Sequence, residues 1–310
     1  MRKNSQTLTT QSIPALIKQL AIPASIGMFF NTMYNVVDTF YAGLISTQAI
    51  SALTLSFMIF FLIIGFGYGF SSAITALLGN ALGKKRYKLA SIYAHKGLIF
   101  VPLIGLTLSI IGYFFAPSLF MFLGAKDEYL QISLDYINPI LFGAIFFMFN
   151  FSLNSILIAT GDTKTYRNSL IFGFFANLAL NPLFMYGFLF VPAMGIKGIA
   201  FATVLIQIIN MFYLFYKVLQ TKLIHFDKLE YFIPNLRIYK LFFTHGIPSS
   251  LNMLTMAIGS LILTYFVSHY GIQAVAGYGI GYRVEQLMLL PALGLSTAVL
   301  ALVSNNFGAK

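Results

Sequence analysis

Asp38 is the residue most in need of a chemical reason. It sits in the stretch NTMYNVVDTFYAG (31–43), with Asn31, Tyr34 and Asn35 seven, four and three positions before it. On a helix that spacing puts all four on one narrow face. A carboxylate at the middle of a lipid-spanning helix costs about 2.5–3.5 kcal/mol on insertion scales, so it has to face a bundle interior or a wet cavity. Two roles fit such a residue: an acid on an ion pathway, or a hydrogen-bonded group that holds helices together. The ion pathway is the reading adopted, because ionisable groups at membrane depth are by default functional.

Three further stripes could meet it. Asn150 and Asn154 are four apart, as are Asn177 and Asn181, and Thr203, Gln207 and Asn210 follow i, i+4, i+7. Amide and hydroxyl oxygens are hard donors that suit a small hard cation, with Asp38 supplying the compensating charge. The same stripes would also serve as interhelical hydrogen bonds worth about 0.6 kcal/mol each. Spacing alone leaves their convergence open.

The elements that must position these residues are membrane helices. The chain is 58% hydrophobic, 16% aromatic and only 9% charged, with a mean hydropathy of +0.83. A soluble domain would be roughly one quarter charged. A bilayer core of about 30 Å needs a helix of about 20 residues, and apolar stretches of that length are expected over 15–42, 50–79, 90–115, 130–159, 167–190, 195–219, 243–268 and 275–303. The fold class read from this is an all-α membrane protein.

The net charge of +11 records topology rather than a nucleic-acid partner. Lys84, Lys85, Arg86 and Lys88 fall between spans 2 and 3, and Lys164 and Arg167 between spans 4 and 5. Lys217, Lys222, Lys228, Arg237 and Lys240 surround the connection from span 6 to span 7, and Arg2, Lys3 and Lys18 precede or open span 1. On the other side only Lys126 and Lys197 occur. The positive-inside rule then places the N-terminus and the even-numbered loops in the cytoplasm. The first apolar segment lacks a compact core followed by a small-residue cleavage site, so it is expected to stay in the membrane.

Several other chemistries are not encoded. There is no cysteine, hence no disulfide framework and no thiolate metal site. GNALGKK (79–85) has three residues between its glycines and Lys85 where a phosphate loop needs Ser or Thr. His95, His225, His245 and His269 fall at span ends or in loops without metal-ligand spacing, where interfacial solvation is expected. Arg283 and Glu285 lie two apart in span 8 and so point to different faces. Gly65, Gly67 and Gly69 are expected to permit close helix approach, and Asp162 to sit in the turn between spans 4 and 5. A membrane-embedded enzyme would need paired acids, a histidine cluster or a nucleophile and base at membrane depth, and none is apparent.

The chain also repeats itself. AIPASIGM (21–28) matches GIPSSLNM (246–253), STQAISA (46–52) matches GIQAVAG (271–277), GFSSA (69–73) matches GLSTA (294–298), and GNALGKK (79–85) matches SNNFGAK (304–310). All four pairs share the offset between positions 21 and 246, which is 225 residues. An offset containing six spans restores the same orientation, so the repeats are parallel and related by an axis along the membrane normal. The expected domains are a six-helix lobe over 1–220, a cytoplasmic linker over 221–242, and the first two helices of a second lobe over 243–310. By this symmetry a full pair of lobes would run to about 440 residues, so the chain reads as truncated after the eighth helix. The counterpart of Asp38 is Leu263, and 243–268 contain no acid.

At this point the chain resembles the multidrug and toxic compound extrusion (MATE) transporters. The resemblance rests on IPASIGMFFNTMYNVVDTFYAGLISTQAISA (22–52), on NSILIATGDTK (154–164) leading into NLALNPLFMYG (177–187), and on GIKGIAFATVL (195–205). It implies twelve helices in two lobes that alternate access, and export of amphipathic, often cationic compounds in exchange for Na⁺ or H⁺, with no other cofactor. It also implies a multi-pass protein of the inner (plasma) membrane, monomeric when full length, with the bilayer and small amphipathic substrates as its partners.

Carried over residue by residue, the resemblance implies a cation site at Asp38, Asn177, Asn181 and Thr203, which would be the metal ligands if the ion is Na⁺. Tyr34, Tyr136 and Asn154 lie near it, Asn31, Asn35 and Asn150 complete the cavity lining, and Pro23 sits at a bend that reads equally as hinge or ordinary kink. Asn181 stands where many similar sequences have Asp, so the site holds one formal charge and the choice between Na⁺ and H⁺ stays open. A lipid-linked oligosaccharide flippase of the same superfamily is the alternative, though a diphosphate would call for more cations in the cavity.

The topology has a direct test, because single cysteines introduced into a chain without any are unambiguous reporters. A cysteine at Thr47 is expected to react with an impermeant thiol reagent added outside intact cells, and one at Lys85 is not. The opposite pattern would invert the orientation.

Overall fold

A computed structural model describes residues 8–188 and 191–310. Eight long helices carry the chain: α1 Ile13–Ile45, α2 Thr47–Gly83, α3 Tyr87–Phe122, α4 Asp127–Ala159, α5 Lys164–Tyr186, α6 Ile196–Leu219, α7 Leu236–Ser268 and α8 Ile272–Ala309, with a short 3₁₀ turn at Leu229–Tyr231. All eight contain a segment long and apolar enough to cross a membrane, and the protein is a multi-pass membrane protein. Arg2 and Lys3 lie outside the described residues, as does the side chain of Arg283.

Most of the helices run beyond the expected spans at one or both ends, because those ends lie in the interfacial zone, where polar residues continue a helix without cost to the hydrocarbon core. Thus α7 begins at Leu236, inside the segment expected to be linker. The fifth helix ends earlier than expected, at Tyr186, where Gly187 turns to φ +76°; only glycine adopts that conformation without strain. Local signals fix other ends. Ser46 caps α2 by accepting a bond from the Ala49 amide at 3.0 Å, and Asn235 caps α7 through the Arg237 and Ile238 amides. Asp162 does occupy the α4–α5 turn, where its carboxylate accepts from the Thr165 amide at 2.9 Å and the Thr165 hydroxyl at 2.6 Å.

α2 and α4 bury most of their length, whereas α1, α3 and α7 leave most of theirs open to lipid. Apolar burial cannot drive association in lipid, so packing and small polar contacts must do so. Hydroxyls of α2 supply them at intervals along α4: Ser71 donates to the Phe151 carbonyl at 3.1 Å and Thr75 to the Ser155 carbonyl at 3.2 Å.

The repeat is visible as a two-fold relation between contacts. α2 packs along α7, α1 packs along α8, and α2 packs along α8; exchanging the two repeats converts the first pairing into the second and leaves the third unchanged. Individual residues obey the same exchange. A Cβ placed on Gly69 would run into Ser250, and one placed on its counterpart Gly294 would run into Ser25, the counterpart of Ser250. Likewise Gly83 abuts Asn305 and Gly308 abuts Asn80. Glycine is needed in these places because the helix backbones approach too closely for any side chain.

His95 departs from expectation. It is wholly buried, with Nδ1 2.7 Å from the Ser91 carbonyl and Nε2 accepting from the His225 amide at 3.0 Å. The segment after α6 folds back onto α3, where Lys96 also donates to the Ile233 carbonyl. A lone histidine at a span end gives no hint that a connection will cover it.

Gly69→Ala is expected to destabilise the chain by about 1–3 kcal/mol, the usual range for overpacking. Gly277→Ala is the matched control, since nothing lies within 4 Å of a Cβ there. Thermal unfolding in detergent should lower the midpoint for the first and leave the second unchanged or slightly higher; equal midpoints would refute the close approach.

Candidate functional site

α1 presents Asp38 to α5 and α6, and the polar stripes on those helices meet it. Asn177 Nδ2 and Asn181 Nδ2 each donate to Asp38 Oδ1 at 2.8 Å, and Thr203 Oγ1 donates to Oδ2 at 3.3 Å. Asn181 Nδ2 also donates to Asn177 Oδ1 at 3.2 Å. Asp38 is 3% exposed, and both asparagines are fully buried. The i, i+4 spacing on α5 lets two amides address one oxygen, and α6 brings the hydroxyl to the other. A buried carboxylate is tolerable only with such donors around it.

Tyr34, one turn before Asp38, is buried among Asp38, Thr203, Tyr136 and Asn177. Its ring also lies beside Gly173 of α5. The site therefore joins α1 to two helices remote from it in sequence: residues 139, 143 and 165 positions from Asp38 donate to its carboxylate.

Asp38 lies on the wall of a cavity of about 340 Å³. Asn31, Tyr34, Asn35, Tyr136, Asn150 and Asn154, all expected at the cavity, do line it. Asn31 is exposed and Asn35 half-buried, and the Asn35 amide donates to the Asn31 carbonyl at 2.8 Å. The α4 pair does not join the Asp38 cluster. Asn150 instead donates to Gln207 Oε1 at 2.8 Å, and the Oδ1 atoms of Asn150 and Asn154 are buried without a hydrogen-bond partner. The α6 stripe thus divides, with Thr203 on Asp38, Gln207 on Asn150, and Asn210 buried beside Gly173.

The rest of the wall is mainly apolar and aromatic, including Phe57, Phe60 and Tyr68 of α2 and Leu290 and Leu293 of α8. Arg167 also lines it. Its sequence position among basic connecting residues conceals this; the close approach of Gly27 to the Arg167 backbone brings that turn of α5 against α1. Pro23 lies inside α1, which continues through it, as α7 continues through the matching Pro248. One turn before Pro23 the Leu20 carbonyl accepts from Thr163 Oγ1 at 3.1 Å. Among the described residues no three His, Cys, Asp or Glu cluster as a metal site would require.

The MatE family matches residues 23–183 and 248–310. The chain belongs to the MATE family. It is 30% identical to a probable multidrug resistance protein of Bacillus subtilis, YoeA, over all of this chain and 69% of that protein. A second Bacillus subtilis protein of that description, YpnP, is 27% identical over 94% of this chain and 65% of its own length. A solved MATE multidrug resistance transporter in an outward-facing conformation superposes with a TM-score of 0.86 at 28% identity, covering 99% of this chain and 67% of that one. The chain thus spans about two thirds of the length of these relatives. The gap between the two matched stretches, 184–247, holds α6 and the connection to α7.

The shared oxygen of Asp38 makes the site a coupled unit. A double-mutant cycle between Asp38→Asn and Asn181→Ala, read by thermal unfolding in detergent, is expected to give an interaction energy of at least about 0.5 kcal/mol. The same cycle with Asn210→Ala should be additive. Additivity in both would mean that the amide does not hold the carboxylate.

Proposed function

We propose that the chain supplies the cation-coupled lobe of an exporter of amphipathic compounds in the cytoplasmic membrane, with its N-terminus inside. The observation that carries this reading is the Asp38 carboxylate, buried on a cavity wall and surrounded by neutral groups that can exchange donor for acceptor. Each asparagine presents Nδ2 to Asp38 in this structure. Rotating either amide by half a turn would present Oδ1 instead, because an amide offers donors at one end and an acceptor at the other. A small cation could then be ringed by Asp38, Asn177 Oδ1, Asn181 Oδ1 and Thr203 Oγ1, all hard oxygens. A proton would achieve the neutralisation more simply, by converting the carboxylate to a carboxylic acid.

Either cation removes much of the cost of holding the charge away from water, and its departure restores that cost. Occupancy therefore biases whichever lobe arrangement best stabilises the occupied site. Pro23 is the point on α1 where the backbone lacks one internal hydrogen bond and can change its bend most easily. The cavity beside the site suits substrates with a large apolar or aromatic surface, since its wall is mostly of that kind. Arg167 is the only Lys or Arg among the described residues of that wall. One cation is a poor match for a diphosphate-bearing lipid, which favours the exporter over the flippase reading.

The test is dye efflux at matched expression from the chain joined to the remaining C-terminal third of YoeA, under an imposed Na⁺ or H⁺ gradient. Asp38→Asn is expected to lower gradient-driven efflux by at least roughly tenfold, equivalent to about 1.4 kcal/mol. Asn177→Ala and Thr203→Ala should lower it less, since each removes one neutral ligand. Efflux by Asp38→Asn equal to the parent would assign Asp38 to helix packing alone.

A further inference from the structure

A second charged feature lies away from the cavity. On the lipid-facing side of α4, Gln131, Asp135, Asn138 and Phe142 form a stripe at i, i+4, i+7, i+11, and α6 sets Lys197, Phe201 and Val204 opposite it. The two helices draw together at the floor of this groove, where a Cβ on Gly143 would collide with Val204. Lys197 Nζ lies 3.2 Å from Asp135 Oδ1, and Gln131 Nε2 donates to the same oxygen at 2.8 Å. Neither charge is sequestered: the side chains are 50% and 25% exposed. Phe142 and Phe201 are 70% and 45% exposed.

The groove therefore changes character along its length. One end is ionic, and about 10 Å further along α4, at 1.5 Å per residue, it becomes aromatic. The ionic end lies toward the starts of α4 and α6, on the membrane side opposite the strongly basic connections. With 33 residues, α4 is about 50 Å long against a hydrocarbon core of about 30 Å. Its first ten or so ångströms thus belong to the headgroup zone, and Asp135 sits near the boundary, where glycerophosphate groups lie. Lys197 is the second residue of α6 and reaches the same level.

We propose that this groove binds a phospholipid with a primary-amine headgroup, its phosphate on Lys197, its ammonium on Asp135 and an acyl chain along Phe142 and Phe201. An ammonium has three donors, and the bond to Asp135 uses one of those on Lys197, so Lys197 can hold its partner and a phosphate oxygen together. Adjacent opposite charges match a zwitterionic headgroup. A quaternary choline has no N–H to give Asp135. A glycerol headgroup has no cation, so its phosphate would meet the Asp135 charge uncompensated.

The chain has no tryptophan, which makes the site readable. Phe201→Trp places a single fluorophore in the groove, and Phe175→Trp places one on α5, where the parent residue is 59% exposed. Each variant is reconstituted in vesicles containing dibrominated phosphatidylethanolamine, phosphatidylcholine or phosphatidylglycerol at equal mole fraction. Brominated phosphatidylethanolamine is expected to quench Trp at 201 about threefold more effectively than the other two, the scale of an exposed ion pair, with no preference at 175. Lys197→Ala and Asp135→Asn, each added to Phe201→Trp, should abolish the preference. Equal quenching by the three lipids at 201 would overturn the proposal, as would a preference for phosphatidylglycerol that survives Asp135→Asn. Should the charge variants fail to accumulate, the three-lipid comparison on Phe201→Trp decides alone.

Discussion

One carboxylate constrains the first lobe. Asp38 is buried within a helix that crosses lipid, and a buried charge has to be met by donors or neutralised. Meeting it requires α5 and α6 to arrive at α1 in one register, with Asn177 and Asn181 over one oxygen and Thr203 over the other. Slippage of either helix by one residue would turn its own donors away through about 100°, costing Oδ1 both amides if α5 moved and Oδ2 the Thr203 hydroxyl if α6 did. The requirement for polar satisfaction thus sets the relative placement of three helices that apolar packing alone would leave freer to slide, since lipid competes equally well for apolar side chains.

The second constraint is the approach between repeats, and it is met with small residues rather than bonds. Gly69 against Ser250 and Gly294 against Ser25 are the same contact made twice across a two-fold axis. This explains why α2 is so heavily buried: it contacts its own lobe through α4 and the other repeat through α7 and α8. The cavity is then bounded by α1, α2, α4, α5, α6, α7 and α8, with Asp38 on one wall and mainly apolar and aromatic surface elsewhere. On the proposed reading, cation and substrate would influence each other through these shared helices, without direct contact.

The polar residues of α4 illustrate how identical spacing leads to different roles. Asn177 and Asn181 on α5 are consumed by Asp38, while Asn150 and Asn154 on α4 leave buried acceptor oxygens at the cavity. The distinction lies in which helix faces α1. On the outer side of α4 charges are met in the same way: Asp135 and Lys197 pair with each other, and both stay partly exposed.

The sequence by itself determined the membrane class, the eight spans, the parallel repeat and the polar stripes on α1, α4, α5 and α6. These were legible because they rest on local or periodic properties: a hydrophobic run must be about 20 residues long to cross a bilayer, and a repeat keeps its offset whatever it packs against. The family resemblance then paired α1 with α5 and α6, which spacing could not. Only the tertiary structure decided which oxygen each amide addresses, that Asn150 turns to Gln207, that Arg167 lies on the cavity wall, and that the connection before α7 covers His95. Those outcomes depend on the rotation of one helix about its axis and on where a loop lands, and neither leaves a periodic trace in the chain: the same residue types at the same spacing serve a cavity, an interface or the lipid according to which neighbour arrives.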